Sequence, residues 1–208
     1  MNKNPIKILI ADDHKMVRAG LAALLETEAD LSVVGQAANG KEALDLAFEL
    51  KPDVVIMDLM MPIMDGVRAT EELHRRNPKI RILVLTTYGS SDGIAHALAS
   101  GAMGALMKSA DNTELVQAVR RLARGERSIA KDIQHQLETD PPVPELTPRQ
   151  KDILNSMVLG LSNPDIAKKL GIRRDGVKAH INAILNKVGA ANRTEAVAIA
   201  LRKHLLKI

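Results

Sequence analysis

The chain has 208 residues, enough for one large domain or two small ones, and no cysteine, which excludes a disulfide framework, a thiol nucleophile and a cysteine-based zinc site. Phe48 and Tyr88 are its only aromatic residues, too few for a platform that stacks single-stranded nucleic acid or for an aromatic-lined pocket. Charge is uneven: residues 1–140 hold 17 basic and 20 acidic side chains, a net of −3, whereas residues 141–208 hold 12 and 5, a net of +7. A basic third of the chain behind an acidic body points to a nucleic-acid-binding module. No apolar run approaches the roughly 18 residues that cross a bilayer. Met1-Asn2-Lys3-Asn4-Pro5 enters a strand pattern and not a secretory leader, so a cytoplasmic protein with no membrane partner is expected.

In chain order, short aliphatic runs predict strands near residues 6–11, 31–36, 53–58, 81–86 and 104–107. Such runs lack polar alternation, the pattern of strands buried on both faces of a parallel sheet. Helical patterns fall between and after them, near 15–27, 40–50, 66–76, 91–100 and 111–124. Five βα units at this spacing predict an α/β fold over residues 1–125, a doubly wound five-stranded parallel sheet with right-handed connections. After Gly125 the β pattern stops, and residues 126–145 read as a linker. It has room for a short helix at 129–138, and its Pro141-Pro142-Val143-Pro144 run favours an extended spacer.

Residues 146–208 read as a small all-α domain. Thr147-Pro148-Arg149-Gln150 supplies an N-cap, a first-turn proline and a capping-box glutamine. Ser162-Asn163-Pro164-Asp165 starts a second helix, which Gly171 ends. A third helix is expected over 174–187, stopping at Gly189, and a fourth over 192–206.

Asp12 and Asp13 follow the first strand, Asp58 the third, Thr86 ends the fourth and Lys108 follows the fifth. These groups gather at the carboxyl edge of the sheet, where open α/β folds bind ligands. Packed carboxylates repel and need a cation to stay ionised; Mg²⁺ suits a few carboxylates with water and phosphate oxygens. On this chemistry Asp58 is the nucleophile that forms an acyl phosphate. Lys108 and the metal neutralise the phosphoryl oxygens, and Thr86 donates to them. Singly, Asp13 reads as a helix cap, Lys108 as a solvated lysine and Thr86 as an ordinary strand end; the combination carries the chemistry.

In the C-terminal third, Ala167, Gly171 and Val177 lie at offsets that suit two helices meeting across a tight turn. The second of these helices would enter the major groove of double-stranded DNA. It presents Lys178, Ala179 and Asn182, with Arg173 and Arg174 at its start for phosphate. Gly176 weakens that start, and Asp175 is available to cap a shortened helix. His180 reads as a packed helix-face residue.

The motifs Asp12-Asp13, Asp58-Leu59-Met60-Met61-Pro62-Ile63-Met64-Asp65-Gly66, Thr86-Thr87 and Gly101-Ala102-Met103-Gly104-Ala105-Leu106-Met107-Lys108 resemble those of a response-regulator receiver domain, a flavodoxin-like fold of bacterial two-component signalling. Leu146-Thr147-Pro148-Arg149, Gly160-Leu161-Ser162-Asn163, Ile166-Ala167, Leu170-Gly171, Val177-Lys178, His180 and Asn192-Arg193-Thr194 resemble the LuxR-type helix-turn-helix. Over nearly its full length the chain is similar to the NarL/FixJ family of transcription factors.

The resemblance implies that a histidine kinase phosphorylates Asp58. It also implies that Mg²⁺ is held by Asp13, Asp58 and the Met60 carbonyl with Asp12 direct or through water, and that Thr86 acts as the switch. Phosphorylation would gate homodimerisation and binding to a roughly palindromic DNA site, with Val197, Ala200 and Leu201 of the last helix in the dimer face. RNA polymerase is a further expected partner. Ala105 stands where many receivers carry an aromatic switch residue, and Ser109 where many carry proline; a trans bond is expected before Ser109, and Tyr88 is the one candidate to replace the aromatic. Two rivals are weighed: a phosphatase, against which Met60 occupies the place of a second catalytic aspartate, and a DNA-binding regulator whose receiver works without phosphate.

Overall fold

The computed structural model describes residues 4–87, 91–144, 146–203 and 205–206. Two compact units divide the chain, Met1–Asp140 and Pro141–Ile208.

The first unit runs β1 (Ile6–Ala11), α1 (Lys15–Leu25), β2 (Leu31–Ala37), α2 (Gly40–Leu50), β3 (Val54–Met57), α3 (Gly66–Arg76), β4 (Arg81–Thr86), α4 (Ser91–Ala99), β5 (Gly104–Met107), α5 (Asn112–Ala123), β6 (Ser128–Ile129) and α6 (Lys131–Thr139). The strands lie in the order β2-β1-β3-β4-β5-β6, every neighbour parallel. Val54, Val55, Ile82, Leu83 and Val84 are fully buried, as their unbroken aliphatic runs require. Each such side chain contributes about 1.5–3 kcal/mol when removed from water. The chain moves outward from β1 to β2 and then returns across β1 to β3. That reversal opens a crevice at the carboxyl ends of β1 and β3.

Residues 128–139, assigned from sequence to the linker, belong to this first unit. The sheet has a sixth strand in place of the expected five, because Ser128 and Ile129 pair with Gly104 and Ala105. Helix α6 then buries Ile133 completely in the core, with Leu137 packed beside it. On the other side of the boundary, Val143 and Leu146 are buried in the second core. The spacer therefore shrinks to the Pro141-Pro142 junction.

The second unit consists of α7 (Pro148–Val158), α8 (Asn163–Leu170), α9 (Arg174–Val188) and α10 (Arg193–Arg202) around Ile153, Leu154, Ile166, Val177, Ile184 and Ala196. The capping box at Thr147 and Gln150 forms as expected, and Gln150 Oε1 also accepts from Lys187 Nζ at 3.1 Å, tying the start of α7 to the end of α9. Gly171 ends α8 at φ 63°, where a side chain would be strained, and Ile172 donates back to the Ala167 carbonyl at 3.0 Å. Helix α9 is not shortened: it begins at Arg174 with Arg173 as a cap that makes no side-chain bond, and Asp175 lies in the first turn. Helix α10 ends at Arg202, short of the expected 206, because Leu205 turns back to donate to the Ala200 carbonyl at 3.0 Å and packs on the core with Leu206.

Candidate functional site

Register places the candidate residues side by side. Ala11 of β1 faces Met57 of β3, so Asp12 and Asp58 each stand one step past a paired position. Backbone bonds carry the ladder that extra step: Asp58 N–H donates to the Ala11 carbonyl at 2.8 Å and Asp12 N–H to the Ala37 carbonyl at 3.1 Å. On the other flank Thr86 faces Met107, and Lys108 N–H donates to the Thr86 carbonyl at 2.7 Å. Asp12, Asp58 and Thr86 are all buried. Helix α3 closes on the site so tightly that a Cβ on Gly66 would lie 1.9 Å from the Asp58 carbonyl oxygen, so no larger residue fits there.

Lys108 Nζ bridges two of the acids, 2.5 Å from Asp12 Oδ2 and 3.1 Å from Asp58 Oδ2. Burial pushes the Asp58 carboxyl above its ordinary pKa; the Lys108 charge opposes this without cancelling it. Burial works against the charge on Lys108, but the hydrogen bond to Asp12 and the charge of Asp58 outweigh it and hold the ammonium above its ordinary pKa. A buried cation bracketed by two carboxylates, with a hydroxyl-bearing residue on the next strand, suits a transferred dianionic group.

The acids also suit a divalent ion. Asp12, Asp13, His14 and Asp58 each offer a ligand atom, and these atoms lie within 4.8 Å of one another. Asp13 is the more exposed of the acid pair and does not cap α1; the cap position is His14. Met60 is 60% exposed, and its backbone N–H bonds to the Asp58 carboxylate. Oxygen-rich donors at this spacing, open to water on the Asp13 side, fit Mg²⁺. His14 escaped the sequence reading although it directly follows the acid pair. Its Nδ1 lies 2.7 Å from Asp13 Oδ1 and 3.5 Å from Asp12 Oδ1. Arg18, also missed, donates to the Asp12 carbonyl at 2.6 Å, one helical turn along α1.

Ala105 is fully buried on β5, where its carbonyl accepts from Ala130. The peptide bond before Ser109 is trans. Tyr88, the proposed stand-in for the missing aromatic, lies outside the described residues.

In the second unit, α9 buries Val177, Ile181, Ile184 and Val188 and exposes the opposite strip. Arg173, Arg174, Lys178, Ala179 and Asn182 all lie on exposed surface, and Asn186 continues the strip one turn further. His180 is half-buried. Two arginines of the motif are structural: Arg149 donates to the Leu170 carbonyl at 3.0 Å, and Arg193 to the Leu161 carbonyl at 2.6 Å. Of the residues expected on a dimer face, Leu201 is 44% exposed and Val197 half-buried, but Ala200 is 1% exposed within the second core and presents no surface. No helix among the described residues is long and apolar enough to cross a membrane.

Comparison with known proteins agrees with this division. A family profile described as response regulator receiver domain matches residues 8–120, and one described as bacterial regulatory proteins, luxR family, matches residues 144–200. The chain is 37% identical to the transcriptional regulatory protein LiaR of Bacillus subtilis (strain 168), covering 97% of this chain and 99% of that one. The crystal structure of response regulator ChrA of a heme-sensing two-component system is 34% identical, with TM-score 0.60 over 98% of this chain and 100% of that one. The structure of the two-component response regulator RcsB–DNA complex is 25% identical, with TM-score 0.68 over 96% of this chain and 99% of that one. The chain is therefore a two-component response regulator of the NarL/FixJ family, a transcription regulator built from a receiver domain and a LuxR-type DNA-binding domain.

Proposed function

We propose that Asp58 is the phosphoacceptor of this regulator and that its phosphorylation by a histidine kinase gates dimerisation and DNA binding. The observation that carries the reading is the buried Asp58 carboxylate, one step past β3, with Lys108 Nζ 3.1 Å away and Asp12 sharing that lysine. An Asp58 oxygen attacks phosphorus, the bond from phosphorus to the kinase imidazole breaks, and an acyl phosphate results. Lys108 then meets the new negative charge without leaving the site. Thr86, buried on the neighbouring strand, supplies the hydroxyl that turns toward the phosphoryl group. Asp12, Asp13, Asp58 and the Met60 carbonyl would hold Mg²⁺, which supplies positive charge to the transferring oxygens.

Phosphorylation shifts an existing equilibrium. The gated output is the exposed strip of α9, with Arg173 and Arg174 on phosphate and Lys178, Ala179 and Asn182 on base edges. The similar RcsB structure is described as a complex with DNA, which supports this assignment. Val197 and Leu201 offer the apolar part of a symmetric contact, which calls for a roughly palindromic double-stranded site. A cytoplasmic location and contact with RNA polymerase accompany this reading.

One observation favours a second reading, a regulator whose receiver works without phosphate. Ala105 leaves β5 without the aromatic that swings inward in many receivers. Selection of bound DNA from a random pool, with and without acetyl phosphate and Mg²⁺, separates the two. Enrichment of a palindrome that depends on acetyl phosphate, and is lost in Asp58→Asn together with phosphoryl uptake, is the expected result. Equal enrichment in all conditions would favour the second reading, and continued labelling of Asp58→Asn would remove Asp58 from the mechanism.

A further inference from the structure

The junction of the chain between its two units is held from both sides. Asp140, the last residue of the first unit, accepts from Ser91 Oγ at 3.0 Å, and Ser91 is fully buried at the start of α4. Pro141, the first residue of the second unit, accepts on its carbonyl from Lys203 Nζ at 2.9 Å. Lys203 caps α10, where its N–H donates to the Ile199 carbonyl at 2.8 Å. It is only 5% exposed, and a lysine is seldom buried without a partner. Val143 then enters the second core two residues after Pro141. Each bond lies within its own unit, but the two acceptors belong to consecutive residues.

The backbone between those acceptors has little freedom. From the Asp140 Cα to the Pro141 carbonyl, the planar peptide fixes one rotation and the proline ring a second, so only the ψ angles of Asp140 and Pro141 are soft. The Pro142 ring fixes the next φ as well. At Lys203, an ammonium on a carbonyl is a charge-assisted bond, and withdrawing the carbonyl would leave a buried charge short of an acceptor. The Pro141 carbonyl and the Lys203 ammonium therefore move together. We propose that this joint couples α4 to α10, with Lys203 as the positioning residue, so that a shift of α4 alters the hold on the end of α10. Helix α4 follows β4, whose last residue is Thr86, and the end of α10 carries Leu201. The bonds carry the coupling by themselves; its use as the gate rests on the reading that phosphorylation acts on the first unit.

Hydrogen exchange of the full chain tests it, because a merely structural bond would disturb only its own unit. In Ser91→Ala the amides of Leu201, Arg202 and Lys203 should exchange about fivefold faster, although Ser91 belongs to the other unit. In Lys203→Met the amides at the end of α6 should quicken in turn, and Lys203→Arg, which keeps the charge and the donors, should bring them back toward wild type. If Lys203→Met loosens the whole second unit, Ser91→Ala decides, since it leaves that unit's residues untouched. The proposal is overturned if Ser91→Ala leaves the end of α10 at its wild-type rate. Beryllofluoride with Mg²⁺ gives a second arm: the wild type should change its exchange at the end of α10, and Ser91→Ala should lose that response while keeping the response around Asp58. A response of α10 that survives in Ser91→Ala would overturn the joint as the route. A wild type that shows no response around Asp58 would instead defeat the phosphoacceptor reading, with the substitutions alone deciding the coupling.

Discussion

Ser91 Oγ donates to Asp140 Oδ2 at 3.0 Å, joining the first residue of α4 to the last residue of the first unit. The bond spans 49 positions of sequence. It fastens the end of α6 to α4, the helix that follows β4 in the chain. Ser91 itself is fully buried. Ser91→Ala should cost about 1 kcal/mol, the usual value of such a bond. Hydrogen exchange should quicken at the amides of α6 while those of β1 and β3 stay protected. Unchanged protection in α6 would show that the packing of Ile133 and Leu137 anchors it without this bond.

The β3–α3 loop holds opposite lessons three residues apart. Ile63 sits at φ 66°, a left-handed backbone that a β-branched residue resists, and its side chain is 83% exposed. Ile63→Gly should therefore raise stability by about 1 kcal/mol. Gly66→Ala should instead cost more than about 3 kcal/mol, because its Cβ would overlap the Asp58 carbonyl. Urea unfolding of the first unit checks both signs.

Gly176 lies in the first turn of α9, and a Cβ there would meet nothing within 4 Å. Gly176→Ala should stabilise the second unit by about 0.5–1 kcal/mol through helix propensity alone. Phosphoryl uptake by the first unit should not change. The two units call for separately resolved transitions, since a single midpoint would mix them. An equal or lower midpoint for the second unit would mean that the start of α9 is not limited by its glycine.

Arg120 on α5 makes a forked bond to Asp30, at 2.9 and 2.6 Å, and also reaches Glu28 at 2.7 Å. The hydrogen bond from Arg120 holds the Asp30 carboxyl below its ordinary pKa. A carboxyl depressed on folding contributes fully above its unfolded pKa and loses the contribution as pH falls through the folded one. The partners are half-exposed, so the clasp is worth less than about 1 kcal/mol. Arg120→Gln should thus lower the urea midpoint slightly at neutral pH. The gap to wild type should close below the usual carboxylate range. A gap that persists in acid would assign the effect to packing of the arginine stem.

The parts legible in the sequence are those fixed by strong local patterns. Four-residue aliphatic runs such as Val54-Val55-Ile56-Met57 have no stable place but a sheet interior, and residues that follow such runs must meet at its carboxyl edge. The caps at Thr147 and Ser162 form because they need only neighbours within three positions. What escaped depends on distant partners. A two-residue strand such as Ser128-Ile129 shows no alternation, and its pairing is decided by Gly104 and Ala105, over twenty positions away. Helix α6 looked like linker because Ile133 is its one fully buried residue. Ala200 shares a helix face pattern with Val197 and Leu201, and only the packing of the second unit shows which of the three turns inward. His14 was passed over since a histidine after two acids carries no periodic signal.

The lysine that spans Asp12 and Asp58 has a consequence for the life of the protein before any signal arrives. Zinc fingers collapse without their ion because nothing else quenches their ligands. Here the chain brings an internal counterion, so a newly made molecule can reach its native shape in a cell starved of divalent salts. If the acids hold Mg²⁺ as proposed, loading would be a local exchange of partners, and chelation should silence the protein without melting it.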